Sequence, residues 1–77
     1  SNVVIETVKK AEDGDGFIVR LYESENSLTK AKLIWHQDVA SAAECNLLEE
    51  YEKDLPVSGS EISVVLKPYE IKTVRIK

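Results

Sequence analysis

The chain has no methionine, one cysteine, one histidine, two prolines and three glycines in 77 residues, and each scarcity excludes something. Cys45 alone cannot form an intramolecular disulfide, so the fold must rest on packing, as in reducing compartments, and a cytoplasmic setting is expected. His36 is the single histidine; His-Glu-x-x-His, Cys-x-x-Cys and Gly-rich phosphate loops are all absent, which removes the common zinc and nucleotide motifs. No apolar run approaches the roughly 18–20 residues of a membrane helix, no Asn-x-Ser/Thr acceptor occurs, and the start lacks the basic and apolar regions of a secretory signal. Because the chain opens Ser1-Asn2, it reads as a trimmed piece of a larger protein, with residues 1–2 a cloning scar and residues 1–77 one domain.

What is present is ordinary for a globular domain: 43% hydrophobic and 31% charged residues. Fourteen acids against 10 bases give a net charge of -4, and because the bases are spread out, neither a nucleic acid nor a membrane is an expected partner. A chain this short buries only about 60% of the surface its unfolded form exposes, so the core must be thin.

Period-two patterning runs through most of the chain. Residues 2–9 set Val3, Ile5 and Thr7 against Val4, Glu6 and Val8, a β-branched strand with two fairly apolar faces. The two Asp-Gly pairs of Asp13-Gly14-Asp15-Gly16 tolerate positive φ, so the chain reverses there into an antiparallel strand carrying Phe17, Val19 and Leu21 on one face. After a polar turn over residues 23–27, Ala31, Leu33 and Trp35 alternate with Lys30, Lys32, Ile34 and His36 in a third strand. Residues 55–60 form a turn by their Pro and Gly. A strand over residues 61–67 follows, with Ile62, Val64 and Leu66 on one face. Pro68 interrupts, and a last strand over residues 70–76 closes the sheet as a hairpin. Residues 39–55 read two ways, since Val39, Ala42, Ala43, Leu47, Leu48, Tyr51 and Leu55 also fit helical spacing. The turn-separated strands point to an all-β fold, a small antiparallel sandwich of five to seven short strands.

Several groupings invite chemistry. Asp13 and Asp15 could share a calcium ion, but an EF-hand loop needs a third oxygen ligand where Phe17 stands, and Asp side chains bonding their own backbone explain the pair. Cys45 and His36 are the only thiol and base available for nucleophilic catalysis, yet a lone Cys is more often a buried hydrophobe. Glu44, Glu49, Glu50, Glu52 and Asp54 could supply paired glycosidase carboxylates, but such a run is usually a solvated face. Trp35, Tyr22, Tyr51 and Tyr69 could stack on sugars, making the chain a carbohydrate-binding module; the competing reading puts Trp35 in the core or against a neighbouring domain. A flat apolar or edge-strand surface for another chain is the third reading.

Four stretches in this order, the opening Asn2-Val3-Val4-Ile5-Glu6-Thr7-Val8-Lys9 strand and its Asp-Gly turn, Ile18-Val19-Arg20-Leu21-Tyr22-Glu23, Leu47-Leu48-Glu49, and the terminal Pro68-Tyr69-Glu70-Ile71-Lys72-Thr73, resemble the C-terminal β domain of glycoside hydrolase family 38 alpha-mannosidases. The resemblance places a strand near residues 41–46 and a connection at Leu47-Leu48-Glu49. It implies a noncatalytic domain of a retaining α-mannosidase, supporting the upstream domains of the same polypeptide; weak carbohydrate contact is an expectation from the aromatics alone. In that family a zinc ion on Asp and His ligands, with the Asp nucleophile, belongs to the N-terminal catalytic domain; no catalytic, metal or cofactor position is therefore carried over to this chain.

Overall fold

The computed structural model describes residues 2–46, 48 and 50–77. The strands are β1 (Val3–Lys10), β2 (Phe17–Glu23), β3 (Thr29–Ile34), β4 (Ala42–Cys45), β5 (Tyr51–Asp54), β6 (Val57–Ser58), β7 (Glu61–Leu66) and β8 (Ile71–Ile76). No described residue is helical. One sheet has five strands in the order β1-β2-β8-β4-β5 and the other three in the order β3-β7-β6, with every pairing antiparallel. This is the expected all-β sandwich, with eight strands in place of five to seven.

The two sheets exist because alternate positions are apolar. Val19 and Leu21 of β2 and Val74 and Ile76 of β8 face Ile62, Val64 and Leu66 of β7, each at most 1% exposed. Each such side chain contributes roughly 1.5–3 kcal/mol by leaving water. Val39 and Ala42 complete the cluster, and Trp35, Leu33 and Leu55 pack against its margin. At the β1–β2 turn, Gly14 and Gly16 take φ values of 79° and 87°, and the loop closes through Ala11 N–H to the Gly16 carbonyl at 3.0 Å.

Three sequence expectations need correction. The last two strands do not form a hairpin: β7 lies in the three-stranded sheet, and β8 crosses to the other, where it pairs with both β2 and β4. The turn that carries it across has Pro68 at its second position and Tyr69 at φ 56°, with Glu70 N–H bonded to the Lys67 carbonyl at 2.9 Å. Pro68 and a positive φ one residue later suit a type II turn, which here redirects the chain rather than folding it back on its own sheet. Along β1, the plain alternation breaks at a bulge between Ile5 and Thr7, so Ile5 and Val8 share the face of Leu21 and Val19. One extra residue in a strand shifts every later side chain to the other face.

Of the two readings of residues 39–55 the strand holds: β4 lies where the resemblance places a strand, and β5 follows it. A helix would turn Leu48 and Tyr51 inward, whereas they are 78% and 64% exposed. The Asn46 carboxamide oxygen accepts from Leu48 N–H at 2.9 Å and Glu50 N–H at 3.0 Å, which builds a reversal between the two strands. Of the expected Leu47-Leu48-Glu49 connection, Leu47 and Glu49 lie outside the described residues. The stretch read as a turn over residues 55–60 contains the short strand β6, which pairs Val57 with Ile62 and Ser58 with Glu61.

Candidate functional site

Three places combine space with polar chemistry. The first is a cavity of about 410 Å³ beside the β1–β2 turn, where β8 and the β4–β5 hairpin bring Arg75, Lys77, Tyr51 and Asp54 near Asp13 and Asp15. The Arg75 guanidinium donates through Nη1 to both Asp13 carboxylate oxygens, at 2.9 and 3.1 Å, and to the Asp15 carbonyl at 2.8 Å. Lys77 Nζ lies 2.7 Å from Asp15 Oδ2. Arg75 holds the Asp13 carboxyl below its ordinary pKa, helped by the Asp15 N–H. At Tyr51, burial and the Asp54 charge push the phenol upward.

The second is a cluster at the end of β2. Glu23 is 1% exposed. Its carboxylate accepts from Glu25 N–H at 2.8 Å, Asn2 Nδ2 at 2.9 Å, and Ser27 N–H and Tyr69 N–H, each at 3.0 Å. Burial alone would raise this acid's pKa, but these donors outweigh it and pull the value down from 4.5 to about 2.

The third is a gap of about 380 Å³ where the β4–β5 hairpin faces β3 and β7. Lys72 points into it from β8, with Nζ 2.6 Å from the Val65 carbonyl, 3.0 Å from Glu44 Oε1 and 3.7 Å from Glu70 Oε1. Removing one member of a sequestered ion pair strands the other, whereas replacing both with apolar residues of similar size is often neutral. The Lys72→Met substitution is therefore expected to cost roughly 1–3 kcal/mol, and adding Glu44→Leu to recover most of it, as urea denaturation of the two variants would measure.

A glycosidase acid is a carboxyl kept protonated by its surroundings, and Asp13 and Glu23 are displaced the opposite way. Residues 2–74 match the model of the glycosyl hydrolases family 38 C-terminal beta sandwich domain. The chain belongs to that family. It is also 37% identical over 76 residues to alpha-mannosidase G of Dictyostelium discoideum, a match covering 95% of this chain and 7% of that protein. The chain thus spans a small fraction of the relative's length. No solved structure matches.

Within the family 38 domain the remaining candidate groupings come apart. His36 packs against Trp35 in a tilted arrangement, their ring centroids 5.0 Å apart and their planes at 52°. Cys45 is buried in β4 of the other sheet, between its partners Thr73 and Tyr51, so thiol and base are not brought together. Asp13 bonds its own chain through Asp15 N–H at 2.9 Å, the turn-forming role weighed against calcium. Among the described residues no His, Cys, Asp or Glu group converges to hold a metal.

Of the acidic run, Glu44 is tied to Lys72, Glu50 accepts from Asn46 Nδ2 at 2.9 Å, and Glu52 and Asp54 lie on the exposed strand β5. The aromatics form no single platform. Trp35 is half-buried against the core with Phe17 at 5.5 Å, Tyr22 and Tyr69 flank a concavity at the opposite end of β2, and Tyr51 lies across the sheet on β5. Sequence reasoning passed over Glu23. Its one signal is an acid ending the apolar strand Phe17–Glu23 just before a polar turn, which says nothing of the backbone donors that converge on it.

Proposed function

We propose that this family 38 domain is a noncatalytic module of an α-mannosidase, packing against the rest of the polypeptide and stabilising the region that carries the reaction. The observation that carries the reading is the match of residues 2–74 to the family's C-terminal sandwich, within a relative of which it makes up 7%. Two physical features support it. Asp13, Asp15, Glu44 and Glu23 are engaged by Arg75, Lys77, Lys72 and backbone donors respectively, so these carboxylates serve the fold. Its two sheets are also unequal, five strands against three, which leaves apolar residues such as Ile5 and Val8 over half exposed; a thin core of this kind gains by burying surface on a neighbour.

The 77-residue chain alone is expected to leave an aryl α-mannoside unhydrolysed. Deleting the same segment from a full-length mannosidase is expected to lower its melting temperature and its activity together. Hydrolysis by the chain alone, or a full-length enzyme indifferent to the deletion, would overturn the proposal.

A further inference from the structure

The exposed apolar residues of β1 are in the wrong place for a finished sandwich. Ile5 stands opposite Leu21 and Val8 opposite Val19, and paired residues point to the same face of a sheet. Leu21 and Val19 are each 1% exposed in the core, yet Ile5 is 55% and Val8 54% exposed. The bulge at Ile5–Thr7 is what turns Val8 inward. β1 therefore presents a core face with no layer beneath it, because the three-stranded sheet ends at β3.

Between β1 and β3 lies a cleft of about 290 Å³, lined by the apolar Val3, Ile5, Leu21, Ala31 and Leu33 together with polar residues of β3, and bridged at its Thr29 end, where Asn2 Nδ2 donates to Thr29 Oγ1, so that it is open toward Ile34. Among the described residues β3 pairs only with β7, so its other edge faces this cleft. A strand added there would lie about 4.8 Å from β3 and about 10 Å beneath β1, where the missing layer belongs. β3 also carries Lys30 and Lys32, both exposed, on its outward face. Lysines on an edge discourage pairing with a like strand: a second copy laid against β3 would set Lys30 and Lys32 against their counterparts. Acidic residues at alternate positions of an incoming strand would instead be drawn to them.

We infer that the β3 edge receives an extended segment from the rest of a family 38 polypeptide, apolar where it faces Ile5 and Val8 and acidic where it passes Lys30 and Lys32. This rests on the reading of the chain as a docked module and adds which surface docks and in what conformation. The relative extends far beyond the matched stretch, which is 7% of it, so such a segment has ample chain to come from.

The test is hydrogen–deuterium exchange on the 77-residue chain and on the full-length polypeptide bearing it, with the β2–β8 ladder as internal reference for folding in both. In the full-length protein the amides of Thr29–Ile34 are expected to exchange at least about tenfold more slowly than in the chain alone. Ile5→Lys with Val8→Lys should abolish that difference, and Ile71→Lys, equally exposed on the opposite face, should leave it. If protection appears instead around Tyr51, Tyr69 or Ile71 while β3 is unchanged, the module docks by another face and the inference falls, with the proposed function intact. Unchanged exchange on every face would remove both. Concentration-dependent protection of β3 in the chain alone would identify a second copy as the occupant and equally overturn the inference.

Discussion

Replacing Glu23 with alanine is expected to lower the melting temperature by more than about 10 °C and to loosen three separate segments at once. The carboxylate at the end of β2 is the shared acceptor for Asn2 before β1, for Glu25 and Ser27 in the turn toward β3, and for Tyr69 in the turn that delivers β8. Removing an acceptor from sequestered backbone donors costs their full desolvation, not merely the net worth of the bonds. Tyr69 adds to this, because its positive φ of 56° is disfavoured for a residue with a side chain and is held by the surrounding structure. Glu23→Gln should fall between wild type and alanine, since it keeps the shape but points an amide at N–H donors.

The same carboxylate sets an acid limb. Its pKa is about 2 in the folded chain against 4.5 for an ordinary glutamate. Between those values the unfolded chain binds more protons than the folded one, so its contribution is complete above 4.5 and is lost as pH falls toward 2. Urea midpoints measured from pH 6 down to pH 2 should therefore fall more steeply for wild type than for Glu23→Gln, with the two converging at the acid end. Parallel curves would show that Glu23 is not ionised among these donors.

How much of this was legible follows from what each signal depends on. The strands over residues 2–9, 17–22, 30–36 and 61–67 were readable because period-two burial is written in neighbouring residues, and the Asp-Gly turn because φ preference is local. The short strands β5 and β6 were not: Tyr51–Asp54 is exposed at all four positions, so no alternation marks it, and Val57–Ser58 has two residues. The β8 pattern was read correctly as a strand, yet its place between β2 and β4 is a long-range fact. The surprise of Lys72, 8% exposed on the core face, follows from that place. Family resemblance settled residues 41–46, where periodicity favoured a helix. Glu23 stayed hidden because its partners are 2 to 46 residues away and mostly main chain.

That central place of β8 makes Gly16 the most demanding glycine. Gly16→Ala is expected to cost about 3 kcal/mol or more, against about 1 kcal/mol for Gly14→Ala two residues earlier. Both glycines have positive φ, 87° and 79°, so both substitutions carry the same kind of backbone strain. They differ in space. A Cβ on Gly14 would meet nothing within 4 Å, whereas one on Gly16 would collide with the Ile76 carbonyl oxygen. That carbonyl cannot simply retreat: Ile76 pairs with Phe17 on one side and Ala42 on the other, and Lys77 N–H is bonded to the Ser41 carbonyl at 3.0 Å. Displacing it would disturb the one strand that joins the β1–β2 half of the sheet to the β4–β5 half. Asparagine separates the two causes, since it tolerates positive φ but still has a Cβ: it should rescue position 14 and fail at position 16. Equal urea midpoints for the two alanine variants would mean that the β1–β2 turn does not press on β8.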